Sequence, residues 1–280
     1  MKDLLKSFLL AGAFLFASCA HSQTHKLTKV WETDTVLKVP ESVLFHPESN
    51  SLFVSNIDGK PAEKDSKGSI ARLSMDGKKI NNDWAVNLSA PKGMGIYNNT
   101  LFVADVDDVV EIDLKSGKVG QRISVAGAKF LNDVTIDKNG VLYVSDSGTG
   151  NVHRVENGKV STYLDKQNGV NGLLAVDDNL YLLVKGELWK SDKNKSLTKI
   201  AKGMDESTDG IEQTSTKDFV VSCWSGVIYH VKADGQTEEL LDTRPQKMNT
   251  ADIGFDAKTN IIYVPTFFGN KIVAYQLSGM

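Results

Sequence analysis

The sequence predicts an all-β fold: a six-bladed β-propeller of four-stranded antiparallel blades, closed by its own N-terminal strand. Three observations carry this prediction. A short pattern recurs six times, the last copy stops one strand short, and a spare strand precedes the first copy.

Each copy starts with a polar or small pair, runs through an apolar stretch and a turn, and continues into an apolar-aromatic strand. The first copy reads Glu41-Ser42-Val43-Leu44-Phe45 followed by Leu52-Phe53-Val54-Ser55. Lys92-Gly93-Met94-Gly95-Ile96 with Leu101–Ala104, and Asn132-Asp133-Val134-Thr135-Ile136 with Leu142–Ser145, are the second and third. Asn171-Gly172-Leu173-Leu174 with Leu180–Leu182, Asp209-Gly210-Ile211 with Phe219–Ser222, and Ala251–Phe255 with Ile262–Val264 complete the set. The second strands are marked by Val54, Val103, Val144, Leu182, Val221 and Val264, at intervals of about 40 residues, the length of a propeller blade. A third, alternating strand follows, as in Val152–Val155 and Val227–Val231. Turns such as Asp76-Gly77, Asn157-Gly158 and Asp234-Gly235 then lead into a fourth strand.

The chain stops after the third strand of the last copy, Lys271–Tyr275. The spare strand, from Lys29-Val30-Trp31 to Val36-Leu37-Lys38, is expected to fill the empty fourth slot of the sixth blade. An open β-solenoid is the rival arrangement. A strand missing at one end and supplied at the other favours closure, which leaves no long open edge.

Composition agrees. Hydrophobic residues make up 41% and charged residues 24% of the 280, an ordinary globular balance. The 23 glycines and 6 prolines suit many short strands joined by tight turns. The formal charge of −3, with no basic stripe, argues against nucleic-acid binding. Two cysteines, Cys19 and Cys223, exclude a disulfide scaffold and a Cys-based zinc site. Length alone would predict two domains. No unit of about 40 residues can bury its own core, however, so the repeats form one domain.

Lys2 and Lys6 precede an apolar run from Phe8 to Phe16, and Ala17-Ser18 lead to Cys19. This layout predicts a signal peptide over residues 1–18, with Cys19 as the lipidated mature N-terminus. A tether over 19–27 and the propeller over 28–280 follow. The expected location is a membrane-anchored lipoprotein facing the periplasm, touching the membrane only through its lipid. Cleavage after Ala20, giving a soluble periplasmic or secreted protein, is the alternative.

The first strand of each blade lines the central channel, so the first residue of each copy projects toward one axial mouth. These residues are Glu41, Lys92, Asn132, Asn171, Asp209 and Ala251. Singly, Asn and Asp at such positions serve as turn residues. Together, two carboxylates and two carboxamides converge, and Glu41 and Asp209 would repel unless a cation sat between them. Oxygen donors select a hard ion: Ca²⁺ first, with Mg²⁺, Mn²⁺ or Zn²⁺ also compatible.

From about Lys29 onward the chain resembles the SMP-30/gluconolactonase/LRE-like family. The resemblance rests on Pro40-Glu41, Leu131-Asn132-Asp133, Asn171-Gly172-Leu173 and Thr208-Asp209-Gly210. It implies metal ligands at Glu41, Asn171 and Asp209, a substrate-contacting Asn132, and metal-dependent hydrolysis of a lactone or related ester. The chain departs from the family in three places. Ser42 follows the glutamate where glycine is usual. Phe130 stands where sugar-lactone members often carry a substrate-binding arginine, which favours a less polar substrate. Lys92 puts a cation into the ring, where it either anchors an anionic group or snorkels outward.

The expected mechanism has the metal polarise the carbonyl while Asp209 acts as general base toward a bound water. Asn132, Lys92 and Phe130 contact the substrate, a small molecule, and the protein is expected to be a monomer. The alternative is a non-catalytic exported propeller that binds a ligand or protein; propeller lyases and synthases are a third class.

Other candidate chemistry is weaker. Cys223, inside Phe219–Trp224, reads as buried and inert. The histidines lack metalloprotease spacing, and His153 and His230 fall in third strands away from the axis. Asp105-Val106-Asp107-Asp108 reads as a solvated turn. From Val54 to Ile70, blade 1 carries a long loop over residues 60–68, expected either to overhang the mouth as a lid or to be a tolerated insertion.

Overall fold

In a computed structural model, residues 25–279 are described. Residues 1–24, with the expected leader, Cys19 and most of the expected tether, lie outside the described residues. The chain forms six four-stranded antiparallel sheets. Strand β1 (Lys26–Glu32) precedes blade 1, which holds β2 (Pro40–His46), β3 (Ser51–Asn56), β4 (Gly68–Ser74) and β5 (Ile80–Leu88). Blade 2 holds β6 (Pro91–Tyr97), β7 (Thr100–Asp105), β8 (Asp108–Asp113) and β9 (Val119–Ser124). Blade 3 comprises β10 (Leu131–Ile136), β11 (Leu142–Asp146), β12 (Asn151–Glu156) and β13 (Lys159–Leu164). In blade 4 the strands are β14 (Val170–Val176), β15 (Asn179–Val184), β16 (Glu187–Ser191) and β17 (Leu197–Ala201). Blade 5 has β18 (Thr208–Gln213), β19 (Phe219–Cys223), β20 (Val227–Val231) and β21 (Thr237–Asp242). Blade 6 combines β22 (Gly254–Asp256), β23 (Ile261–Pro265) and β24 (Ile272–Ser278) with β1, in the order β22-β23-β24-β1.

The spare strand therefore closes the ring from the slot the repeat leaves empty. Its limits differ from the sequence reading. It starts at Lys26, inside the expected tether, and ends at Glu32, because residues 33–39 cross toward the axis. On that path Leu37 enters the core between blades 6 and 1, and the Thr33 and Leu37 amides donate to the Ile272 and Asn270 carbonyls. A second seam forms near the axis: Asp252 N–H donates to Glu41 O (3.0 Å), and Val43 N–H to Asp252 O (3.2 Å).

Each gap between neighbouring blades has its own apolar core. Phe53, Ile70 and Leu88 of blade 1 pack on Met94, Val103 and Val110 of blade 2. At the seam, Val43, Val54 and Leu73 pack on Tyr263, Ile272 and Ala274. All six second-strand markers are fully buried, which for such side chains contributes about 1.5–3 kcal/mol each.

Crowding is greatest on the innermost strands. A Cβ on Gly172 would overlap the Asp209 carbonyl oxygen, and one on Gly210 would meet the Asp252 carboxylate and the Ile253 amide. Overpacking of this kind costs about 1–3 kcal/mol. Gly172→Ala is therefore expected to lose stability in that range in urea unfolding, whereas Gly158→Ala, in open space, strains only its own positive φ. Equal midpoints for Gly172→Ala and wild type would contradict the axial packing.

Candidate functional site

Local backbone geometry aims the ring residues. In blades 1 to 5 the pairing between first and second strands shifts register at the ring position: between Pro40 and Ser42, Pro91 and Met94, Leu131 and Val134, Val170 and Leu173, and Thr208 and Ile211. Such bulges re-aim a side chain out of the pleat. They also free backbone amides, and in three blades a second-strand serine accepts one. Ser42, Asp133 and Gly210 N–H donate to Ser55, Ser145 and Ser222 Oγ, each at 2.9 Å.

The segments leading into the ring are braced by the last residue of the second strand. Asn56 Oδ1 accepts from Lys38 N–H, Asp105 from Ser89 and Ala90 N–H, and Asp146 from Lys129 and Phe130 N–H. This corrects the reading of Asp105 as part of a solvated turn. Asp105 is buried and also pairs with Arg122 (3.0 Å), since the amides ahead of the ring need a buried acceptor. Beside Glu41, Val39 is held at φ 55°, a left-handed conformation unusual for a β-branched residue. Its amide donates to Asn270 Oδ1.

Glu41, Lys92, Asn132, Asn171 and Asp209 all line one cavity of about 280 Å³. Five of the six expected ring residues thus meet. Ala251, the sixth, is instead packed in an apolar cluster with Ile57, Ala90 and Phe267. Asn171 Nδ2 donates to Asp209 Oδ1 (2.7 Å), and Asn132 Nδ2 to Ser147 Oγ (3.2 Å). Lys92 does not snorkel outward. It is 1% exposed, donates to Ala90 O (2.9 Å), and lies 4.5 Å from the centre of the Phe130 ring. Glu41 is buried, and among the described residues its Oε2 has no hydrogen-bond partner.

The electrostatics follow from this enclosure. Burial, then the charge of Asp209, pushes Glu41 well above the usual carboxylate range. Burial, then Asp133, raises Asp209 to about 7, against the opposing hydrogen bond from Asn171. Burial also lowers Lys92, opposed by Glu41 and Asp105. Farther along the innermost strands, Asp133, Glu212 and Asp252 line an axial channel of about 210 Å³. Burial lifts Asp133 to about 6, Glu212 to about 8, and Asp252 well above its usual value. The sequence reading missed this lower tier, although Asp133 and Asp252 each follow a ring residue directly.

The oxygens of Glu41, Asn171 and Asp209 suit a hard divalent cation. Among the described residues one buried carboxylate oxygen lacks a donor, the charge of Asp209 raises the proton affinity of Glu41, and Lys92 offsets only part of that. The Asn171 amide presents its oxygen to the same point after a flip, a choice of orientation set by what it faces.

Above this polar base the walls are apolar: Ile57, Pro61, Phe130, Trp224, Phe267 and Phe268. Trp224 and Phe268 are exposed, and the three aromatic rings beyond Phe130 meet edge-to-face at 4.7 to 6.2 Å. Pro61 brings the long 60–68 loop to the mouth, and Lys64 ties that loop to Asp107 of the next blade (2.5 Å). Phe130 and the loop were legible from sequence. Trp224, Phe267 and Phe268 were not, because nothing local marks them as facing the axis. Cys223 is buried, its thiol pushed up by burial, and takes no part.

The raised carboxylates set a pH dependence. A carboxyl whose folded value exceeds its unfolded value keeps its proton longer in the native state, so stability falls as pH rises between the two. For Asp209 that window runs from about 4 to about 7. With divalent ions chelated, stability to urea is expected to drop across that window and to drop less in Asp209→Asn. Identical pH profiles would show that Asp209 is not held protonated.

No family model matches the chain, and no curated protein matches its sequence. Solved structures do match its fold. A catalytically inactive variant of virginiamycin B lyase from Staphylococcus aureus, solved with quinupristin, is 15% identical with a TM-score of 0.63, covering 90% of this chain and 99% of that one. A structure solved as a candidate gluconolactonase is 14% identical with a TM-score of 0.67, covering 91% of this chain and 92% of that one. At these identities the likeness establishes the six-bladed propeller, and the chemistry rests on the side chains at the mouth.

Proposed function

We propose that the mouth hydrolyses a lactone or related ester bearing an apolar, preferably aromatic, substituent, as a member of the SMP-30/gluconolactonase/LRE-like group. The observation that carries this reading is a buried, unpartnered Glu41 carboxylate beside Asp209, Asn171 and Asn132 at the base of an aromatic-walled cavity. Glu41, Asn171 and Asp209 would hold a divalent cation, calcium being the best fit to an all-oxygen set. Such a cation supplies Lewis-acid polarisation of the carbonyl when bound.

The chain's own residues do the rest. Asp209 accepts a proton from the attacking water. The water oxygen bonds to the carbonyl carbon, the ring carbon–oxygen bond breaks, and the proton passes to the departing alkoxide oxygen. Asn132 orients the substrate through its amide. Lys92, the one cation lining the mouth among the described residues, attracts the carboxylate that hydrolysis creates. The aromatic wall receives the substituent and excludes water, and Phe130 supplies apolar surface where a sugar acid would need a polar partner. The cavity is at the small end of the range for ligand sites, which limits the substrate to a compact molecule.

Metal analysis and a panel of aryl, alkyl and sugar lactones test this. Asp209→Ala and Glu41→Gln are each expected to lose about 100-fold or more in turnover. Chelation is expected to abolish activity and calcium to restore it. Trp224→Ala is expected to raise KM for aryl lactones about tenfold while sparing small aliphatic ones. Wild-type turnover by Asp209→Ala would sink the mechanism. Tight binding without turnover by the wild type would assign a capture role instead.

A further inference from the structure

A second cluster of ligand-type side chains lies at the outer edge of the ring, between blades 5 and 6. It joins His25, the residue before β1, to His230 of β20 and Glu238 of β21. Among the described residues these three offer ligand atoms within 4.8 Å of one another. The Nδ1 of His25 lies 2.7 Å from Glu238 Oε2, and the His25 amide donates to Glu238 Oε1 (3.2 Å). The two imidazoles stack with centroids 3.7 Å apart.

His230 points to a ligand. It is fully buried, yet among the described residues neither ring nitrogen has a hydrogen-bond partner. A neutral imidazole carries one donor and one acceptor; Asp218 stands near Nε2, so Nδ1 above all is desolvated without compensation. Such orphaned groups in a folded protein call for a water or an ion. Asp218 Oδ2 stands 3.4 Å from His230 Nε2, the placement of a carboxylate that orients a ligating histidine. Burial, then the neighbouring His25, holds His230 below the usual histidine value, which favours the neutral, ligating form.

We propose that His25, His230 and Glu238 form a site for a zinc-class transition-metal ion, with Asp218 orienting His230, and that this ion staples the closing strand to blade 5. Two imidazoles and a carboxylate select borderline ions over calcium or magnesium. Neighbouring ligands on a tetrahedral zinc sit about 3.4 Å apart, so the stacked rings must open slightly. His25, at the start of the strand, is the side chain placed to turn. The ion takes the place of the contact between His25 Nδ1 and Glu238 Oε2. The site is separate from the mouth, and its metal chemistry is different. Its consequence is mechanical: β1 is the strand that completes blade 6, and a metal at the residue just before it opposes fraying.

The test uses the full chain carrying Glu41→Gln, which removes a mouth donor. Zinc is titrated by calorimetry, and cobalt by its visible absorption. One equivalent of zinc is expected, undisturbed by excess calcium, with a tetrahedral cobalt spectrum. His25→Asn and Glu238→Gln, made at the site's less buried positions, are each expected to weaken zinc binding at least about tenfold. Leaving His230 in place keeps the core intact, and unchanged circular dichroism checks folding. Zinc is also expected to slow hydrogen exchange over residues 26–32, and to do so no longer in His25→Asn. Absence of stoichiometric zinc, binding indifferent to both substitutions, or unaltered exchange over 26–32 would each overturn the proposal.

Discussion

The pairing of β1 with β24 is the constraint on which the rest of the molecule depends. Six blades packed side by side hold their axial residues in fixed relation only when the first and last are joined. The outer join is the antiparallel ladder from Lys26 with Ser278 to Glu32 with Val273. The inner join runs through the backbone of Glu41 itself, whose carbonyl receives the Asp252 amide. A principal residue of the candidate site is thus also part of the seam. Loosening the seam would displace Glu41 relative to Asp209, although the two belong to different blades.

Closure has an electrostatic consequence. Bringing six strands to one axis places Glu41, Asp209, Asp133, Glu212 and Asp252 along a shared, poorly solvated path. The chain tolerates this in three ways. Glycines at 93, 172 and 210 leave room beside the bulkier Asp133, Asp209 and Asp252. Backbone amides bind Asp133: Val134 and Leu173 N–H donate to its two oxygens at 2.6 Å each. Ser42 Oγ donates to Asp252 Oδ2 (2.5 Å). Among the described residues lining the mouth, Glu41 alone keeps a buried oxygen without a donor.

The site divides by origin. Its polar base comes from bulges in the innermost strands, which the packing of all six blades over-determines. Its aromatic wall comes from connecting segments: Phe130 before β10, Trp224 between β19 and β20, and Phe267 and Phe268 between β23 and β24. Loops vary at lower cost than packed strands. The wall can therefore change at lower cost than the base, on a six-bladed fold that solved structures share with this chain at 14–15% identity.

Periodicity made the architecture legible in the sequence alone. Alternation along each strand, turn residues between strands and a six-fold recurrence are local signals, and they placed Glu41, Lys92, Asn132, Asn171 and Asp209 at equivalent positions. The strand missing at one end and spare at the other predicted closure. Tertiary structure decided what those residues meet. That Glu41 lacks a donor, that Lys92 turns inward under Phe130, that Asp105 is buried, and that His25 reaches His230 all depend on contacts between distant chain segments. So does the aromatic wall at the mouth. The physical reason is that backbone pattern is written in neighbouring residues, whereas desolvation and charge are set by whichever side chains the closed ring brings together.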